Sequence, residues 1–129
     1  MPEASRVIAL CVDDQVSMLR LLRHAFNQLG VRHIIDATSA AEALAILAEK
    51  RVDIVTLDWN MPGMDGLTLF KAIRQTEKGR NLPIIMVTAN SEESHVKAAI
   101  AAGVRLFLRK PITVKDMKLR VEAALGKLT

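Results

Sequence analysis

The chain predicts a single doubly wound α/β domain, a five-stranded parallel sheet with helices on both faces and five helices in all. Three observations predict it. Short apolar runs alternate with amphipathic stretches five times along the chain. Most runs are continuous and β-branched rather than alternating, which marks strands covered on both faces. At 129 residues the chain has the usual size of one domain, enough to bury a core without disulfide or metal staples.

The first apolar run covers residues 7–12. Met18, Leu19, Leu22, Ala25, Phe26 and Leu29 then recur at helical spacing, and Gly30 follows as a stop. The second run, at Ile34-Ile35, is short and mixed, so it is expected at a sheet edge. Ser39, with Glu42 three residues on, forms a capping box for the next helix. Residues 54–57 make the third strand, and Leu67, Phe70 and Ile73 mark the helix after it. Residues 84–87 make the fourth strand, followed by Val96, Ala99 and Ile100 on a helix that Gly103 ends. Residues 106–108 make the fifth. Thr113 is placed as N-cap of a last helix carrying Met117, Val121, Ala124, Leu125 and Leu128. No repeat, low-complexity tract or linker interrupts this order, so one domain is expected over 1–129, with its core from about 6 to 128.

Composition narrows the function classes. Half of the residues are hydrophobic and a quarter charged, which excludes a disordered chain. With three Phe, one Trp and no Tyr, the core must be aliphatic. No apolar run approaches the ~20 residues of a membrane span, and the acid at Glu3 and the short run after it do not make a signal peptide. No membrane association is expected. Cys11 stands alone, which rules out an intramolecular disulfide and fits a reducing cytoplasm. The net charge of +4 raises the question of nucleic acid. No Lys/Arg-rich run or interleaved aromatics support it, so a mildly basic solvated surface is expected instead.

In doubly wound sheets, sites form beyond the carboxyl ends of the strands. The chemically able residues fall there. Asp13-Asp14 follow the first strand, Asp58 ends the third, Thr88 ends the fourth, and Lys110-Pro111 follow the fifth. Three carboxylates in one crevice repel, and one would hold a proton unless a cation is present. Mg²⁺ takes oxygen ligands and commonly also binds a phosphate oxygen. With a lysine and a hydroxyl beside them, the carboxylates suggest phosphoryl transfer, one of them acting as nucleophile to form an aspartyl phosphate.

The segments 12–14 (Val-Asp-Asp), 57–66 (Leu-Asp-Trp-Asn-Met-Pro-Gly-Met-Asp-Gly), 86–89 (Met-Val-Thr-Ala) and Lys110-Pro111 resemble those of the receiver domain of bacterial response regulators. The resemblance covers essentially the whole chain and is strongest around Asp58. It implies a flavodoxin-like sheet of order 2-1-3-4-5. It also implies that Asp58 accepts phosphate from the phosphohistidine of a sensor histidine kinase or phosphotransfer protein, or from a small phosphodonor. Asp13, Asp14, Asp58 and the backbone carbonyl of Asn60 would hold Mg²⁺ or Mn²⁺. Lys110 would pair with the phosphoryl group across a cis Lys-Pro peptide, and Thr88 would bring its hydroxyl onto a phosphoryl oxygen. Phe107 stands at the family's switch aromatic, where many members have Tyr. Without a phenol its inward rotamer leaves no hydroxyl to satisfy, so the inward state is expected to be easier to populate. Asn60 and Asn90 occupy positions that influence phosphate loss in the family. Arg105, Lys115, Lys118 and Leu119 lie toward the side formed by helix 4, strand 5 and helix 5, where relatives bind target proteins.

The expected function is therefore that of a stand-alone, cytoplasmic, monomeric response regulator with no effector domain, acting through protein contact and fitting chemotaxis or flagellar control. A phosphorelay intermediate and a kinase-regulating receiver are the alternatives. A haloacid-dehalogenase-type phosphatase would need Asp-x-Asp with the second Asp as general acid. Here Asn60 follows Asp58 and cannot supply a proton. A flavin protein would need a hydroxyl- and Gly-rich phosphate loop where Asp13-Asp14-Gln15 stands. His24, His33 and His95 are unclustered and read as surface residues, and Trp59 reads as lining the site mouth, with a local packing role as the alternative.

Overall fold

The computed structural model describes residues 2–89 and 93–129. After a 3₁₀ turn at Ala4–Arg6, strands and helices alternate: β1 Ile8–Val12, α1 Val16–Gln28, β2 His33–Ala37, α2 Ala40–Glu49, β3 Ile54–Asp58, α3 Gly66–Arg74, β4 Ile84–Thr88, α4 Glu93–Ala102, β5 Leu106–Arg109 and α5 Val114–Leu125. The sheet order is β2-β1-β3-β4-β5, and every pairing is parallel. The short mixed run at Ile34-Ile35 does form an edge strand, and β5 forms the other edge.

The continuous apolar runs follow from the two-sided burial. Alternate residues of one strand enter different cores. Leu10, Val12, Val55, Leu57 and Met86 pack with Leu69, Phe70, Ile73 and Ala99 on the α2–α4 side. Ala9, Cys11, Ile54, Ile85 and Val87 pack with Leu22, Phe26, Met117 and Val121 on the α1–α5 side. Each fully buried large side chain contributes roughly 1.5–3 kcal/mol through removal of apolar area from water. Cys11 is fully buried in the second core, and burial pushes its thiol up to about 12, so it is an unreactive packing residue. Ile100 departs from the periodicity reading: it is 58% exposed, and Ala99 is the buried residue of that helix turn.

The helix starts follow local hydrogen-bond chemistry. Ser39 Oγ accepts from Glu42 N at 3.1 Å, and the Glu42 carboxylate accepts from Thr38 N at 3.1 Å, one residue before the cap. Asp65 caps α3 by accepting from Thr68 N at 2.8 Å. Thr113 caps α5 by accepting from Asp116 N at 3.1 Å. Thr113→Ala is expected to cost about 1 kcal/mol, seen as a lower urea midpoint with an unchanged slope.

Register then sets the site. Val12 pairs with Leu57, so Asp13 emerges beside Asp58. Asp58 pairs with Val87, and Thr88 pairs with Arg109, which brings Lys110 to the same edge. The chain beyond each strand is tied to its neighbour: Asp13 N donates to Ala37 O, Trp59 N to Val87 O, and Lys110 N to Thr88 O, at 2.9–3.0 Å.

Candidate functional site

Asp13 and Asp58 are almost wholly removed from water, while Asp14 beside them is exposed. Carboxylate oxygens of all three lie within 4.8 Å of one another. Lys110 Nζ donates to Asp58 Oδ1 at 3.0 Å and stands 3.9 Å from Asp13 Oδ2. Thr88 is buried at the last position of β4. The Lys110-Pro111 peptide is cis, as the resemblance implied. Asn60 is exposed on the loop after β3.

Asp13 carries the electrostatic cost of this arrangement. Its Oδ1 accepts from Gln15 N at 2.8 Å, but its buried Oδ2 has no hydrogen-bond partner among the described residues. Burial raises its carboxyl above the usual value of 3.8, and the Asp58 charge adds to the rise. The Gln15 N–H and the Lys110 ammonium act the other way. An orphaned buried acceptor among three clustered carboxylates is the donor set a hard divalent cation takes. The residues present thus fit Mg²⁺.

Two features, at Gly66 and His95, were not legible from the residues alone. Gly66 packs directly under the nucleophile loop: a Cβ there would run into the Asp58 carbonyl oxygen and meet Trp59 Cα at 2.9 Å. Its N–H donates to Trp59 O at 2.8 Å. The only sequence signal is an Asp-Gly pair just before a helical run. Gly66→Ala is expected to displace the 58–60 backbone. Phosphoryl uptake should slow, and stability should fall by roughly 1–3 kcal/mol, checked by uptake rate and urea midpoint together. Of the two sequence readings, Trp59 takes the packing one, 7% exposed within the α2–α4 core. His95 is half-buried, not a free surface histidine; its ring centroid lies 5.5 Å from that of Trp59. His24 and His33 are exposed as expected.

Phe107 is half-buried and packs against the α2–α4 core. Its carbonyl accepts from Arg120 Nε at 2.6 Å, tying β5 to α5. Arg105, Lys115, Lys118 and Leu119 are all exposed. They do not share one cleft: Lys118 lines a cleft between α1 and α5 with Gln28 and Leu29, and Arg105 lines another near the start of β5. Asn90 lies outside the described residues.

This geometry, a buried carboxylate pair plus lysine at the carboxyl edge of a doubly wound sheet, coincides with what comparison gives. Residues 9–122 match the family described as the response regulator receiver domain. The chain belongs to that family, and its acidic pocket fits phosphorylation. It is 35% identical over 113 residues to the chemotaxis protein CheY of Pseudomonas aeruginosa, covering 88% of this chain and 91% of that one. Among solved structures it is similar to CheY4 of Vibrio cholerae, with 28% identity, a TM-score of 0.86, and coverage of 92% of this chain and 98% of that one. It is also similar to a chain of the CheX-CheY-BeF3-Mg+2 complex from Borrelia burgdorferi, with 32% identity, a TM-score of 0.83, and coverage of 91% and 87%. Among the described residues no helix is long and apolar enough to cross a membrane.

Proposed function

We propose that this receiver domain is a phosphoacceptor switch in which Asp58 takes a phosphoryl group from a phosphohistidine or a small acyl phosphate. The observation that carries the reading is the Lys110–Asp58 contact at 3.0 Å inside a cluster that also holds Asp13 and Asp14. Asp13, Asp14, Asp58 and the Asn60 carbonyl would hold Mg²⁺ or Mn²⁺. When bound, the cation neutralises charge on the phosphoryl oxygens.

The chain's own groups perform the rest. An Asp58 carboxylate oxygen attacks phosphorus, an O–P bond forms, and the donor's N–P or O–P bond breaks with the electron pair leaving on the donor. Lys110 holds the carboxylate in place beforehand and pairs with phosphoryl oxygens afterwards. Thr88 donates its hydroxyl to one of those oxygens. That movement changes the space next to Phe107 on the neighbouring strand and so the packing of α4, β5 and α5. Asn60 and Asn90 tune the lifetime of the phosphoryl group. A target protein reads the α4–β5–α5 side, with Lys115, Lys118, Leu119 and Arg105 as contact residues. The named chemotaxis relatives favour a place in chemotaxis. The switch works as a monomer, and its output is protein contact rather than nucleic acid or membrane binding.

The test is incubation with acetyl phosphate and Mg²⁺ followed by intact mass. One phosphoryl group is expected, with none when a chelator is present. Uptake indifferent to chelation would refute the metal part, and no uptake from acetyl phosphate or from a phosphorylated histidine kinase would refute the whole.

A further inference from the structure

At the end of the sheet opposite Asp58 lies a cleft of about 410 Å³ formed by the end of α3, the loop to β4 and the starts of β4 and β5. Arg74, Arg80 and Arg105 line it, and among the described residues no carboxylate does. Arg74 and Arg80 are near neighbours in sequence, and the distant Arg105 joins them only because α3 ends and β4 and β5 start there.

Arg74 is held rigidly. Its Nη1 donates to Gly79 O at 2.7 Å and to Leu82 O at 2.6 Å. Its guanidinium carbon sits 4.7 Å from the centre of the Phe70 ring. Both bonds leave from one nitrogen, so Nη2 and Nε keep their donors. The side chain is half-buried and has no acidic partner among the described residues. Burial accordingly lowers its pKa. Arg80 and Arg105 are exposed and have neither a hydrogen-bond nor an ion-pair partner among the described residues. Three like charges around one concavity repel, and a partly desolvated guanidinium gains most from a matching anion.

We propose that this cleft binds a compact polyphosphate anion, either inorganic polyphosphate or the phosphate chain of a nucleotide. Guanidinium forks match pairs of phosphate oxygens. The volume falls within the roughly 300–1,000 Å³ of small-ligand sites. A duplex nucleic acid would instead need basic groups spread along its backbone. The cleft does not depend on the phosphorylation chemistry, which sits at the other end of the strands.

Calorimetric titration with tripolyphosphate, in chelator and at low ionic strength, tests it. Arg80→Gln/Arg105→Gln is expected to weaken binding by about tenfold or more. Arg20→Gln/Arg32→Gln removes the same charge elsewhere and should leave binding within about twofold. Arg74 is spared because it also holds the 79–82 loop. Uptake of one phosphoryl group from acetyl phosphate serves as a fold control for both variants. ATP binding at least as tightly supports the site with a nucleotide as source, and ATP binding more weakly supports it with free polyphosphate. Equal weakening in both double variants, or no binding to the wild type at millimolar tripolyphosphate, overturns the proposal. So does a DNA duplex that displaces tripolyphosphate and depends on the same arginines.

Discussion

Asp58→Asn is expected to take up no phosphoryl group from acetyl phosphate and Mg²⁺, whereas the wild type takes up one. The substitution keeps shape and removes both the negative charge and the nucleophilic oxygen pair. An amide oxygen at this position cannot form a stable acyl phosphate. Carboxylate oxygens of Asp13, Asp14 and Asp58 lie within 4.8 Å of one another, but uptake is expected at Asp58 alone. Asp13 Oδ1 is engaged by the Gln15 N–H, and it is Asp58 that Lys110 contacts at 3.0 Å. Trp59 follows the nucleophile directly and is the one Trp of the chain. Its fluorescence should change on phosphoryl uptake in the wild type and stay constant in Asp58→Asn. Intact mass and fluorescence together check this.

Asp13→Asn is expected to act in opposite directions on stability and on chemistry. Without a cation, Asp13 is a buried acid with one orphaned oxygen and a carboxyl raised above 3.8. The native state then binds its proton more tightly than the unfolded chain does. This group's contribution is therefore fullest below the ordinary carboxyl value and is lost as pH rises through the raised native value. The amide still accepts from Gln15 N–H and carries no charge. In chelator at neutral pH the variant should gain roughly 1–3 kcal/mol, and its stability should fall less between acid and neutral pH. Added Mg²⁺ should raise the melting temperature of the wild type by ligand linkage and scarcely move the variant. Phosphoryl uptake should slow by about 10²–10³-fold, the scale of losing one stabiliser of transition-state charge. Thermal melts with Mg²⁺ or chelator across pH, set beside uptake rates, measure both halves. A variant less stable than the wild type in chelator would contradict the electrostatic account.

The sheet was legible because its strands are buried on both faces. Leu10 and Cys11 enter different cores, so both had to be apolar. The caps at Ser39 and Thr113 were legible because a hydroxyl before an apolar run has one local use. The site was legible because Asp13, Asp14, Asp58, Thr88 and Lys110 each sit at a strand end, and parallel register does the rest. Packing between distant elements was not legible. Trp59 reads in sequence as lining the site mouth or packing locally, and only the structure shows it filling the α2–α4 core and meeting His95 of α4. Ile100 fits the helical stripe, yet it faces water, because Ala99 already meets the core there. Gly66 is demanded by an atom of Asp58, which no local pattern displays. No sequence pattern joins Arg74 and Arg80 to Arg105, which reads there as part of a partner surface; the three meet only where element ends come together.

The central claim is that Asp58 carries the phosphoryl group as an acyl phosphate. Borohydride reduces such an acyl phosphate to an alcohol, converting the modified aspartate to homoserine. Peptide mass mapping of protein treated with acetyl phosphate, Mg²⁺ and then borohydride should find homoserine at position 58 and aspartate retained at 13 and 14. Homoserine at Asp13 or Asp14, or a borohydride-stable phosphate on Thr88, would contradict the account.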